Sequence, residues 1–127
     1  MTMDFRLTGV DEGIANVDRL DSRVIPTVAG SLYRSGEHVM TQSKEQYVPV
    51  ATGTLRSSGT IQIETTETVV QVHLGFGGPA DDYALAVHET NKNYQGGRSW
   101  KYLEIPLNQE LPEINRSLQD DLRAMAA

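Results

Sequence analysis

The stretch TIQIETTETVVQVHLGF, residues 60–76, decides the fold. Ile61 and Ile63 alternate with Gln62 and Glu64, and Val70, Val72 and Leu74 alternate with Gln71 and His73. Each half therefore presents one apolar face at the two-residue period of an extended strand. The polar residues between them, near Thr65 to Glu67, predict a turn and so an antiparallel hairpin. Gly75, Gly77, Gly78 and Pro79 end the alternation. Tyr83 to His88 then reads as a further β-like run, with Ala84, Ala86 and His88 on one side and Tyr83, Leu85 and Val87 on the other. Antiparallel strands are thus expected over 60–89.

Upstream the period is helical. Val10, Ile14, Val17, Leu20, Val24, Val28 and Leu32 stand 4, 3, 3, 4, 4 and 4 residues apart, one stripe of a helix expected over 10–47. Asp11 and Glu12 suit the positive end of its dipole. Pro26 cannot donate its backbone N–H and crowds the preceding turn, which predicts a kink or a fresh start there. Gly30 and Gly36 each cost about 1 kcal/mol relative to Ala within a helix. Val48-Pro49 leaves helical geometry, and small polar residues make 48–59 a turn segment.

Downstream, 90–99 reads as a mobile loop of Asn, Lys, Gln and a Gly pair without apolar periodicity. Leu103, Leu107, Leu111, Ile114, Leu118, Leu122 and Met125 then recur at spacings 4, 4, 3, 4, 4 and 3, so 100–126 is expected to be a helix. Pro106 suits its first turn, whereas Pro112 is expected to bend or divide it. Residues 1–127 accordingly form one α+β domain, a small antiparallel sheet packed against a long N-terminal helix, kinked near Pro26, and a C-terminal helix.

Composition narrows the function. The 127 residues fit one domain of the usual roughly 100–200. With no Cys, neither a disulfide framework nor a Cys-based zinc site can form. Eleven Lys and Arg against 17 Asp and Glu give a formal charge of −6, which argues against a basic groove that neutralises phosphates. No apolar run approaches the ~18 residues of a membrane span, and Met1 to Val10 lacks a signal-peptide core. The expectation is a protein with no membrane association that works where it is made.

Candidate chemistry fails motif by motif. His88-Glu89 opens a zincin-like string, but Lys92 occupies the place of the second His. His38, His73 and His88 are widely separated, with no repeated acidic spacing to make them ligands. Gly75-Phe76-Gly77-Gly78 resembles half a phosphate loop, yet Pro79-Ala80-Asp81-Asp82 follows where a helix start and a third Gly are needed. Ser57-Ser58-Gly59 lacks the upstream Gly of a nucleophile elbow. Asp81-Asp82 and Asp120-Asp121 read as solvated charge, and the aromatics are too scattered for a base-stacking platform. No catalytic, metal or cofactor residue is assigned.

Three segments, in order, resemble the neck and tail-completion (head–tail joining, minor tail component) proteins of long-tailed double-stranded DNA bacteriophages. The first is Val48-Pro49-Val50-Ala51-Thr52-Gly53-Thr54-Leu55-Arg56-Ser57-Ser58, the second Tyr83-Ala84-Leu85-Ala86-Val87-His88-Glu89, and the third Trp100-Lys101-Tyr102-Leu103-Glu104-Ile105-Pro106-Leu107. Ala51 stands where the family commonly has Asp, and Thr90-Asn91 replaces its Gly-Thr.

What the resemblance implies is a non-enzymatic virion protein, made in the host cytoplasm and placed at the head–tail neck or proximal tail. It implies a homo-oligomeric, hexameric ring stacked against head-closure or connector proteins and tail-tube or tail-terminator proteins. Genomic DNA would pass through the ring without specific binding, and an acidic lumen suits that passage by repelling phosphates. A tail terminator capping the tube is the alternative within the virion, and a small metal-dependent hydrolase using His73 and His88 is the alternative from another class. The motif residues expected at subunit contacts are Pro49, Thr52, Gly53, Leu55, Arg56, Tyr83, Glu89, Lys101, Leu103 and Glu104. Among them Tyr83 and Leu103, with Leu107, are expected in the core. Lys101 and Glu104 are expected on a solvated face, while Arg56 is divided between an internal salt bridge and a subunit contact.

Overall fold

The computed structural model describes residues 2–7, 22–50, 53–67, 69–78 and 81–126. Its elements are β1 (Thr2–Leu7), α1 (Val24–Gln42), α2 (Thr54–Ser57), β2 (Thr60–Thr65), β3 (Val70–Gly75), α3 (Asp81–Glu89) and α4 (Glu104–Ala126). A π-helical turn, Ser43–Tyr47, extends α1, and a 3-10 turn spans Gln95–Gly97. The fold is α+β.

The hairpin forms where the alternation places it. β2 and β3 pair antiparallel, with Ile61 opposite Leu74 and Ile63 opposite Val72. Its turn is tied by Thr66 N–H to Val69 O at 2.8 Å and by Val69 N–H to Thr66 Oγ1 at 3.0 Å. The third strand, β1, was not expected from the sequence: it pairs antiparallel with the other side of β3, giving the order β1-β3-β2.

α1 buries Val24, Val28, Leu32, Val39 and Met40, and the sheet offers Val70, Val72 and Leu74 against it. Gly36 lets the two layers approach: a Cβ there would stand 3.0 Å from Val72 Cγ1 and 3.5 Å from Leu74 Cδ2. The glycine that costs helix propensity is thus repaid in helix–sheet packing. Pro26 sits in the first turn of α1, where a missing N–H leaves no helical bond unmade. The earlier part of the expected stripe, Val10 to Leu20, lies outside the described residues.

α4 lies along α1 and buries Leu107, Ile114, Leu118 and Leu122. Arg34 meets Asp121 at 2.6 Å and, one turn further along α1, His38 meets Glu110 at 3.3 Å, so the two helices run antiparallel. Tyr83 to His88 is not a strand but lies in α3, because Ala84, Val87 and His88 face inward at helical spacing and two Ala favour that state. The C-terminal helix begins at Glu104 rather than residue 100, and Leu111 is 47% exposed, off the buried stripe. Of the bend or division expected at Pro112, division does not occur: α4 runs through it as one element.

Candidate functional site

The second and third sequence segments meet at one junction, built around His88. α3 carries Ala84 and His88 inward one turn apart, and His88 is only 2% exposed. The chain then loops through 90–100 and returns, so that Lys101 N–H donates to His88 O at 2.7 Å. Lys101 holds φ 50°, an uncommon value for a residue with a side chain, immediately before the entry to α4.

Both ring nitrogens of His88 are engaged. The backbone N–H of Glu104 can only donate, so His88 Nε2, 3.3 Å away, accepts. His88 Nδ1 then carries the proton and donates to Glu89 Oε1 at 3.0 Å. Glu104 opens α4, and its N–H is one of the four that a helix start leaves without an internal partner. The imidazole therefore acts as a helix cap delivered from a neighbouring helix.

Lys101 Nζ bridges Glu89 Oε2 at 3.2 Å and Glu104 Oε2 at 2.9 Å. Hydrogen bonds from His88 first, then Lys101, hold the Glu89 carboxyl below its ordinary pKa. Glu104 first, then Glu89, hold the Lys101 ammonium above its own. Tyr102 packs edge-on against His88 and against Phe76, with centroids 4.9 and 5.0 Å apart. Its hydroxyl donates to Ala84 O at 2.7 Å, and burial pushes its pKa up.

A proline explains one further bond. The carbonyl of Tyr102 would ordinarily accept from the amide four residues on, which is Pro106 and has no N–H. The fully buried Ser43 hydroxyl donates to that carbonyl instead, at 2.6 Å. Ser43 begins the π-helical turn after α1, so the same bond ties α1 to the start of α4.

The 90–99 segment, expected to be a mobile loop, is anchored. Arg98 Nη1 donates to Lys44 O at 3.0 Å and Val48 O at 2.9 Å, and Nη2 to Glu45 O at 2.7 Å. Its guanidinium thus caps the carbonyl end of the α1 extension, where helical carbonyls lack partners and a cation is favoured. Ser99 N–H adds a bond to Tyr47 O at 3.0 Å. No periodicity announces such a contact, since one long polar side chain makes it across the fold.

The first segment is placed apart from the His88 junction. Gly53, with φ 80°, precedes α2, and its carbonyl accepts from Ser57 N–H at 2.9 Å. Leu55 is buried, and Ser58 Oγ donates to Leu55 O at 2.7 Å while accepting from Gly77 N–H at 3.2 Å. Pro49 is half-buried, and Arg56, also half-buried, makes no ion pair among the described residues. Thr52 lies outside the described residues. Leu103 is core as expected; Tyr83 is not, being 38% exposed on the outer side of α3. Glu89, Lys101 and Glu104 are brought together, and Lys101 and Glu104, solvent-accessible as expected, form an ion pair with each other.

The three histidines take three different carboxylates: His38 with Glu110, His73 with Glu64 and His88 with Glu89. Among the described residues no group of three or more His, Asp or Glu is arranged to hold a metal ion. No helix of the described residues is long and apolar enough to cross a membrane. No family model matches the chain, and no curated protein or solved structure matches it.

Proposed function

We propose that this chain is a non-enzymatic virion component of a bacteriophage neck or head-proximal tail, whose copies form a hexameric ring around the DNA channel. Head-closure or connector proteins would bear on one side of the ring and tail-tube or tail-terminator proteins on the other. The reading starts from the likeness of three segments to the neck and tail-completion proteins.

One observation carries it furthest. The second and third segments meet at a junction where a buried His, two carboxylates, a Lys and a Tyr are all turned to internal bonds. Such a network fixes the angle between α3 and α4, and rigidity of this kind suits a part that must present the same surfaces in every copy. Arg56, free of ion pairs among the described residues, is available to a neighbour's carboxylate or carbonyls. A formal charge of −6 suits a conduit through which phosphates slide.

The test is electron microscopy and titre of phage made without this chain. The proposal expects DNA-filled heads and separate tails, with infectivity lost. Normal tailed, infectious particles would contradict it.

A further inference from the structure

Among the described residues the sheet has two unpaired edges. β3 is central, and among the described residues no strand pairs with the outer edge of β1 or of β2. Natural edge strands are ordinarily blunted by charged side chains, Lys above all, by Pro, by bulges or by extreme shortness, because unpaired N–H and C=O groups invite another chain. β1 (TMDFRL) and β2 (TIQIET) have six residues each and contain neither Pro nor Lys; their charged residues are Asp4 and Arg6 in β1 and Glu64 in β2. Thr60, Gln62, Glu64 and Thr65 of β2 are exposed.

The register shows which partner fits. β1 and β2 are each antiparallel to β3, so they run parallel to one another. They are also in step: Met3 and Ile61 flank Leu74, Phe5 and Ile63 flank Val72, and Arg6 and Glu64 flank Gln71. A copy laid alongside, with its rows continued, brings its β1 against the first copy's β2. Apolar positions then follow apolar ones, and Arg6 of one copy falls in the position beside Glu64 of the other.

Two-fold pairing of β2 with itself does less well. The antiparallel registers that keep residues of one face together place Glu64 opposite Thr60 or Gln62, with no opposite charge. Such a pairing also stops at two copies.

We propose that β2 of each copy pairs, in parallel and in register, with β1 of the next. The contact is head-to-tail, so each copy uses one edge and offers the other, and the arrangement closes into a ring when the rotation permits. Every copy then carries α1 on the same side of one continuous sheet. This deepens the ring reading above and depends on it for closure, but it is tested separately.

The chain has no Cys, so introduced thiols report cleanly. Arg6→Cys/Glu64→Cys protein treated with a short bis-maleimide is expected to give a covalent ladder ending at the closed species, while neither single variant gives more than background. Asp4→Cys/Gln62→Cys, in another row of the same register, repeats the test should the first pair fold poorly. Folding is checked by circular dichroism and mass by light scattering. Rings that form without either ladder would overturn the β1–β2 junction and leave the ring reading standing. A dimer from Glu64→Cys alone would overturn it in favour of β2 pairing with β2, and a chain that stays monomeric at all concentrations would overturn junction and ring together. Infectious particles lacking the chain would remove the phage reading without touching a junction seen in the ladder.

Discussion

His88 Nε2 accepts the backbone N–H of Glu104, the first residue of α4, at 3.3 Å, while the opposite ring nitrogen donates to Glu89. The side chain most suggestive of chemistry in the sequence is thus a joint between two helices. His88→Phe keeps the bulk but leaves a helix-start donor and a carboxylate without this partner. It is expected to lower unfolding free energy by about 2–3 kcal/mol, read from the urea midpoint at unchanged m. A loss below about 0.5 kcal/mol would show that the joint does not matter to folding.

Ser43 and Pro106 are coupled through the Tyr102 carbonyl. Ser43→Ala is expected to cost about 1–2 kcal/mol, because it leaves a buried carbonyl unsatisfied. In a Pro106→Ala background, where residue 106 regains an N–H, the same substitution should cost much less. A double-mutant cycle measures this directly, and additivity of the two changes would refute the coupling.

Arg98 should not tolerate Lys. An ammonium cannot span the three carbonyls of Lys44, Glu45 and Val48 that the guanidinium fork reaches. Arg98→Lys is expected to cost about 1–2 kcal/mol and to speed hydrogen exchange at the end of α1 ahead of the rest of the chain. Uniform exchange throughout would argue against local anchoring.

The two α1 glycines should respond in opposite directions. At Gly30 a Cβ would meet, among the described residues, only Arg34 Nη1, at 3.5 Å, so Gly30→Ala is expected to stabilise by up to about 1 kcal/mol. At Gly36 the neighbours are the sheet residues Val72 and Leu74, and Gly36→Leu should cost about 2 kcal/mol or more through overpacking. Melting temperatures of the two variants check both signs.

Acid should loosen the Glu89–Lys101–Glu104 cluster. The Glu89 pKa is lowered in the folded chain from its ordinary 4.5, so the unfolded chain binds more protons as pH falls past that value. The associated stability is fully present above about pH 4.5 and is lost as pH falls through the folded pKa. For Lys101 the shift is upward from 10.5, and its share is present below that pH and lost above it. Both groups are solvent-screened, so the effect is small. Glu89→Gln should flatten the acid limb of a melting-temperature profile, and an unchanged limb would assign that dependence to other groups.

Much of the fold was legible because two periods are strong: alternation gives β2 and β3, and the leucine register gives most of α4. The run Tyr83 to His88 misled because alternate Ala residues satisfy a strand pattern while Ala84, Val87 and His88 satisfy a helical one. β1 has alternating Met3, Phe5 and Leu7, but six residues at a terminus acquire meaning only from pairing with β3. The candidate site was half legible. Glu89, Lys101 and Glu104 were singled out by motif, whereas Arg98, Ser43 and the ring bonds of His88 depend on non-local geometry that no spacing encodes.

The most direct test of the central claim is the mass of the purified chain in solution, by native mass spectrometry across a concentration series. The account predicts a closed species of six copies of the 14.0 kDa chain. A single copy at every concentration would contradict it.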